Sequence, residues 1–179
     1  MRRRELLAGV GSVGILGAAG AVALGSVPST GGNDGDQPTR EPMSLETLDA
    51  PGSEAGTVGV PATGEPTFVD FFATWCDPCV AQMPALAEAN DRVGEDVLFL
   101  SVTAEGLSDD EIVEWWERHD GEWLLARDPT AELAARYNQP GIPYGVAIDA
   151  AGTVQWSEPG AKTADELVEG IERALDVDE

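Results

Sequence analysis

An α/β domain with a mixed central sheet and helices on both of its faces is the architecture this sequence predicts for residues 44–175. Three observations carry the prediction. Apolar runs rich in β-branched and aromatic residues alternate with segments of helical period, two of the helices open on capping boxes, and the chain ends in a hairpin followed by one last helix.

Taken in order, residues 44–48 and 57–60 read as two short strands joined through the turn-rich "DAPGSEAG". Residues 67–72, "TFVDFF", form a near-continuous apolar run, as expected of a strand buried on both faces. A helix is predicted over residues 77–92 and a strand over 97–103, "VLFLSVT". Ser108 and Glu111 then make a capping box for a helix running through His119. After a strand at 123–125, Asp128 and Pro129 read as the N-cap and first-turn proline of a helix ending at Tyr137. "YGVAID", "AAG" and "TVQWS" give a hairpin over 144–157. Thr163 and Glu166 open the last helix, whose apolar face is Leu167, Ile171, Ala174 and Leu175.

What precedes the domain is a targeting segment over residues 1–27: three arginines, then an apolar run over residues 6–27 diluted by Gly and Ala. Arg3-Arg4-Glu5-Leu6-Leu7 resembles a twin-arginine export signal. Ala21-Val22-Ala23 fits a small-x-small cleavage site, while about 20 apolar residues also suffice to span a bilayer, so a secreted and a membrane-anchored form are both compatible with the segment. Either places the domain outside the cytoplasmic membrane. Residues 28–43 read as a flexible linker rich in Gly, Pro and Asp, and residues 176–179 as an acidic tail.

The 179-residue chain carries 33 Asp and Glu against 10 Lys and Arg, a formal net charge of -23, and its one lysine is Lys162. Such a field repels nucleic acid and anionic lipid surfaces, which removes both as partners. The acid excess is spread along the domain, a pattern that resembles proteins of salt-loving organisms, in which salt screens the self-repulsion. An acidic surface that simply maintains solubility has the same composition.

The two cysteines, Cys76 and Cys79, lie where the buried strand ends and a helix begins. There the first thiol meets unpaired helix N–H groups and the positive end of the dipole, which favour its thiolate. Cys79 follows one turn later, covered by the helix yet within bonding reach. A disulfide between them closes so small a ring that it restricts the unfolded chain little, which points to redox chemistry rather than stapling. The competing readings are a purely structural disulfide, a peroxidase, which needs only one reactive cysteine, and a metal site. Zinc usually takes four ligands from two such pairs, whereas here one pair stands with one histidine, His119, on another helix. His119 reads as a C-terminal helix residue facing the dipole, and Trp115 and Trp116 as core.

"FVDFFATWCDPCVAQMPAL" resembles the active-site segment of thioredoxin-fold proteins, with Trp75 before the first cysteine and Pro84 five residues past the second. "YNQPGIPYGVAIDAAGTVQW" is similar to that family's second signature, in which a cis proline, here Pro143 after Ile142, precedes the hairpin. The resemblance covers residues 44–175 and is most similar to exported TlpA/ResA-like thiol-disulfide oxidoreductases, which add an N-terminal β-hairpin and a helix-containing insertion before the second signature. It implies a thioredoxin fold and a dithiol cycle in which Cys76 attacks a protein disulfide and Cys79 resolves the mixed disulfide. Asp70, six residues before Cys76, stands where thioredoxins carry a buried acid, and burial there raises its pKa toward a proton-shuttling range. An Asp merely satisfied by backbone donors is the bland alternative. The lysine that thioredoxins pair with this acid is missing, with Phe99 at the matching place.

The backbone at Ile142 and Pro143 is expected to receive substrate as an added strand, with apolar contact from Trp75 and Tyr144, the latter where the family often has threonine. Asp77 and Pro78, between the cysteines, are expected to tune the couple. A carboxylate beside Cys76 opposes its thiolate and makes the couple more reducing. The redox-active disulfide is the only expected redox group, with no cofactor and no metal. The chain lacks a third cysteine to regenerate the pair, so the implied partners are protein disulfides and a membrane dithiol electron donor, in related families including cytochrome c maturation. The alternative from another class is a redox-inert binding module of the same fold, or a metallochaperone holding copper on the two thiols.

Overall fold

The computed structural model describes residues 41–178. The targeting segment and most of the linker, expected over residues 1–40, lie outside the described residues.

The strands are β1 (Met43–Thr47), β2 (Gly56–Val60), β3 (Thr67–Phe72), β4 (Leu98–Thr103), β5 (Leu124–Arg127), β6 (Tyr144–Ile148) and β7 (Val154–Pro159). The helices are α1 (Asp77–Val93), α2 (Asp109–Arg118), α3 (Glu132–Arg136) and α4 (Ala164–Leu175), and a 3₁₀ turn over Asp176–Asp178 ends the described chain. One seven-stranded sheet has the order β2-β1-β5-β4-β3-β6-β7. Its centre, β5-β4-β3, is parallel. Antiparallel partners flank that centre, with β1 on β5 and β6 on β3. The sheet is mixed, as predicted, and the N-terminal hairpin β1–β2 extends one side.

The sides of β3 show why its run is apolar throughout. Phe68 and Phe72 pack with α1, α2 and α4 in one core layer, and Val69 and Phe71 pack with Leu133 and Ala134 of α3 in the other. By the period of two along a strand, Asp70 falls on the α1 side. A dense aromatic group fills that layer: Phe72 stacks on Trp115 at 5.0 Å, and Trp116 meets Trp123 edge-on at 4.9 Å. Both tryptophans of α2 are buried, which bears out their reading as core. His119 caps the C-terminal end of α2. Its ring lies 4.4 Å from that of Trp115, and its Nδ1 is 2.7 Å from the Trp115 carbonyl oxygen.

Trp156 of β7 is wedged between β6 and α4, and two glycines make the room. A Cβ on Gly145 would stand 2.7 Å from its ring, and one on Gly170 2.6 Å. Both capping boxes form: Ser108 and Thr163 accept from the N3 amides of α2 and α4, and Glu111 and Glu166 reach back to the cap amides.

The third helix departs from expectation. Asp128 does cap it, accepting from Glu132 N at 2.9 Å and Ala134 N at 3.0 Å, but the helix starts only at Glu132 and spans five residues. Ala131, with φ 55°, breaks the helical path that Pro129 was expected to open. β5 is also shifted, running from Leu124 to Arg127 rather than from Trp123.

Candidate functional site

The site is built where β3 hands over to α1. Cys76 is the N-cap of α1 with extended backbone (φ -91°, ψ 99°), and its Sγ accepts from Cys79 N at 3.2 Å. Asp77 and Pro78 fill the first two helical positions, where a missing amide hydrogen costs nothing. Cys76 and Cys79 form a disulfide with Cα atoms 5.2 Å apart. Both are buried, Cys76 at 4 % exposure and Cys79 at 2 %. In this oxidised state Trp75, just before the disulfide, reaches solvent, with 73 % exposure.

The segment before β6 packs, through Ile142, against the core layer that holds both cysteines. Ile142-Pro143 is a cis peptide bond, as the resemblance implies. The β3–β6 ladder ends at the Phe71–Tyr144 pair, so Ile142 and Pro143 stand beyond the paired strand. Trp75 and Ile142 line a common cleft of about 290 Å³ with Phe71, Ala134, Gln139 and Glu105. Tyr144 does not join them. It is buried at 6 % exposure, its ring stacked 6.1 Å from that of Phe71 and its hydroxyl donating to the Tyr137 carbonyl, so it is a core residue and not a surface contact. Its position opposite Phe71 in the ladder turns it inward.

Glu105, which the sequence reading passes over, holds the turn before Cys76. Its carboxylate accepts from Thr74 N at 2.7 Å, from Thr74 Oγ1 at 2.9 Å and from Thr103 Oγ1 at 3.1 Å. Arg127 fixes the loop that carries it, donating to the Glu105 and Leu107 carbonyls and pairing with Asp109. No local pattern marks Glu105 in the sequence, because Thr74, the residue through which it holds the turn, lies 31 positions away.

The buried acid is present. Asp70 has 1 % exposure, and desolvation pushes its pKa up from 3.8 to about 7, against two hydrogen bonds that pull the other way. Those bonds come from side chains rather than from the backbone: Ser101 Oγ to Oδ2 at 3.2 Å and Gln82 Nε2 to Oδ1 at 3.1 Å. Phe99, the residue placed at the missing lysine, lies two positions along β4. It pairs in register with Phe68, while Ser101 pairs with Asp70. Gln82 was readable in principle, as the one polar residue on the buried stripe of α1 with Cys79, Met83, Leu86, Ala89 and Val93.

Among the described residues no group of three or more His, Cys, Asp or Glu side chains could hold a metal ion. No described helix is long and apolar enough to cross a membrane.

A seven-stranded thioredoxin-type sheet with a Cys-x-x-Cys disulfide at a helix N-terminus, a cis proline just before β6 and a buried acid on β3 defines a thioredoxin-fold dithiol protein. The Redoxin sequence profile matches residues 42–175, and the chain belongs to that family. It is 24% identical to the thiol-disulfide oxidoreductase ResA of Bacillus thuringiensis over 110 residues, 62% of this chain and 64% of that protein. With the thiol:disulfide interchange protein CycY of Rhizobium leguminosarum it shares 27% over 141 residues, 75% of this chain and 74% of the other. The chain matches 53% of the length of a rice chloroplastic thioredoxin Y, so it spans between about half and two thirds of several of these relatives. In fold it is similar to the crystal structure of StoA from Bacillus subtilis, with TM-score 0.60 and 21% identity over 74% of this chain and 98% of that one. A secreted disulfide oxidoreductase of Mycobacterium tuberculosis gives TM-score 0.60 and 22% identity over 75% and 96%.

Proposed function

We propose that this chain is an extracytoplasmic thiol-disulfide oxidoreductase that reduces disulfides of protein substrates through Cys76 and Cys79. The observation that carries the reading is their disulfide at the N-terminus of α1, the helix whose Gln82, three residues after Cys79, hydrogen-bonds the buried Asp70 of β3.

In the reduced protein the Cys76 thiolate, stabilised by the α1 amides, attacks one sulfur of a target disulfide. A Cys76–target bond forms and the target's own S–S bond breaks, leaving a target thiolate that takes up a proton. Asp70 as carboxylate accepts the Cys79 proton, and the Cys79 thiolate attacks Cys76 Sγ. The mixed disulfide breaks, the second target sulfur leaves as a thiolate and is protonated, the proton held by Asp70 returning to it or to solvent, and Cys76–Cys79 reforms. Two electrons have passed from this protein to the target. An acid titrating near 7 is matched to that transfer at neutral pH.

Trp75 and Ile142 line the cleft in which an apolar side chain next to the target cysteine lodges, and the backbone of Ile142, beyond the paired part of the β3–β6 ladder, takes the target's backbone, while Pro143, whose carbonyl already accepts from Gly160 N, holds that segment in place. Asp77, exposed at the first turn beside Cys76, opposes the thiolate and biases the couple toward reduction of others, with Pro78 fixing the turn. A dithiol donor in the membrane recharges the pair, and the twin-arginine-type segment over residues 1–27 exports the chain and anchors or releases it.

The test is the reduction potential of the Cys76–Cys79 couple, read by Trp fluorescence during dithiothreitol equilibration, together with turnover of a protein disulfide such as insulin. A value near thioredoxin's, about -270 mV, with turnover supports the reading. A value near about -120 mV makes the protein an oxidant. Stoichiometric Cu(I) binding with no turnover makes it a metal carrier.

A further inference from the structure

Two neutral donor chains converge on the Asp70 carboxyl. On one side the Lys162 backbone amide donates to Gln82 Oε1 at 2.7 Å, and Gln82 Nε2 donates to Asp70 Oδ1 at 3.1 Å. On the other, Trp123 Nε1 donates to Ser101 Oγ at 2.9 Å, and Ser101 donates to Asp70 Oδ2 at 3.2 Å. The direction of each chain is fixed at its origin, since a backbone amide and an indole N–H can only donate. Gln82 therefore cannot exchange its two ends without facing N–H against N–H.

The segment that locks it is itself tied to the site. In the turn between β7 and α4, Gly160 N donates to the Pro143 carbonyl at 2.8 Å, two residues before Lys162 N meets Gln82. The Lys162 ammonium points away from the acid, onto the Pro159 and Gly160 carbonyls and Glu158. The charged residues of the neighbouring elements, Asp77, Glu88, Asp91 and Arg92 on α1, Glu158 on β7, and Asp165, Glu166, Glu169, Glu172 and Arg173 on α4, are all exposed. Of the groups able to titrate on the surrounding elements, the two thiols, once reduced, lie on the turn and helix that also carry Gln82.

We infer that Gln82 is the positioning residue of the buried acid, a neutral amide locked by the β7–α4 turn that does the work of a partner cation and confines proton exchange to the Ser101 side of Asp70. Because Nε2 only donates, Oδ1 only accepts. The Ser101 hydroxyl, by contrast, can turn: it donates to the carboxylate, and it keeps a lone pair to accept from the protonated acid. The inference rests on the reading of Asp70 as the proton carrier.

The test is direct titration of the Asp70 Cγ carbon by NMR in the oxidised full chain, in which no thiol titrates, with the parent compared to Gln82→Met. Loss of a donor to the ionised form raises the midpoint, by about one unit. The pH profile of disulfide exchange by the reduced protein moves upward with it. Ser101→Ala, which removes the other donor, raises the midpoint likewise. A midpoint within about 0.3 units of the parent in a folded Gln82→Met protein overturns the inference, because a residue that merely pins the turn changes Tm and not the acid. Should Gln82→Met not fold, Gln82→Glu serves: two facing carboxyls split the titration into two coupled steps, and one unmoved midpoint is the refuting result. A shifted midpoint with an unshifted exchange profile leaves Gln82's hold on the acid standing and refutes Asp70 as the proton carrier.

Discussion

Replacing Asp70 by Asn should stabilise the oxidised protein, and by an amount that grows with pH. The folded state raises the Asp70 pKa from 3.8 to about 7. Below pH 3.8 the carboxyl is protonated whether the chain is folded or not, and it exerts no pH-dependent effect. Between the two values the unfolded chain releases the proton and the folded chain keeps it, so stability falls as pH rises. The loss is complete above about pH 7, where it reaches about 4 kcal/mol at 1.36 kcal/mol per pKa unit. Asn has the same shape and never ionises. Its carbonyl oxygen can still accept from Gln82, and its amide can donate to Ser101.

Whatever fixed offset the exchanged hydrogen bonds introduce, the difference between Asp70→Asn and parent should widen by about 2 kcal/mol between pH 5 and pH 7 and level off by about pH 8. Urea unfolding of both proteins at pH 5, 6, 7 and 8, with the disulfide intact so that no thiol titrates, reads this directly. Self-repulsion among the surface acids also changes over the range, but equally in both proteins, so it cancels. A difference that stays constant from pH 5 to pH 8 would mean that Asp70 is ionised in the folded state throughout, and the proton-carrier reading would lose its basis.

Trp75→Ala should leave Tm within about 1 °C, because the side chain is 73 % exposed, yet raise KM for a peptide disulfide several-fold with little change in kcat; an unchanged KM refutes its contact role. Glu105→Ala removes the acceptor of Thr74 N and of two hydroxyls, and should cost about 1 to 3 kcal/mol in chemical denaturation while slowing exchange with glutathione. Unchanged exchange in that variant shows that the turn before Cys76 holds its shape without the clamp. Raising salt from 0.1 to 2 M should raise Tm, since a net charge of -23 repels itself less as the screening length falls from about 10 Å to about 2 Å. The Asp70 midpoint should move by less than about 0.3 units over the same range.

Much of the fold is legible in local sequence because local chemistry decides it. The run 67–72, the two capping boxes and the 144–157 hairpin each contain their own reason for being a strand, helix or turn, and each is found within two residues of its predicted limits. The five-residue α3 was less legible. Asp128 is a genuine cap, but it reaches the helix across a bend at Ala131, a backbone choice that no residue-type preference announces. The site divides in the same way. Cys76, Cys79 and Asp70 are set by spacing along one strand and one helix and are visible as a pattern. Glu105 and the Lys162 amide act across the sheet, on partners 31 and 80 positions away, and only the tertiary structure brings them to their places. Tyr144 was misplaced for a related reason: position next to the proline suggested display, while register against Phe71 put the ring in the core.

Lysine-free tuning of the acid fits the charge of the whole molecule. A buried ammonium beside Asp70 would need desolvation of a second charge, and a buried pair contributes only when geometry offsets that penalty. Here the acid's environment contains no charge at all: burial raises its pKa, and two neutral hydrogen bonds oppose the rise. Desolvation and hydrogen bonds act at contact range and do not depend on ionic strength, whereas the surface acids interact over the Debye length and do. The protein thus separates two electrostatic problems. Its surface carries a charge whose cost varies with salt, and its core carries a buried acid whose range does not. On the proposed reading, the range of the proton transfer is thereby held apart from the salt, and the cost is that Gln82 and Ser101, each replaceable in a core by an apolar side chain, must remain donors.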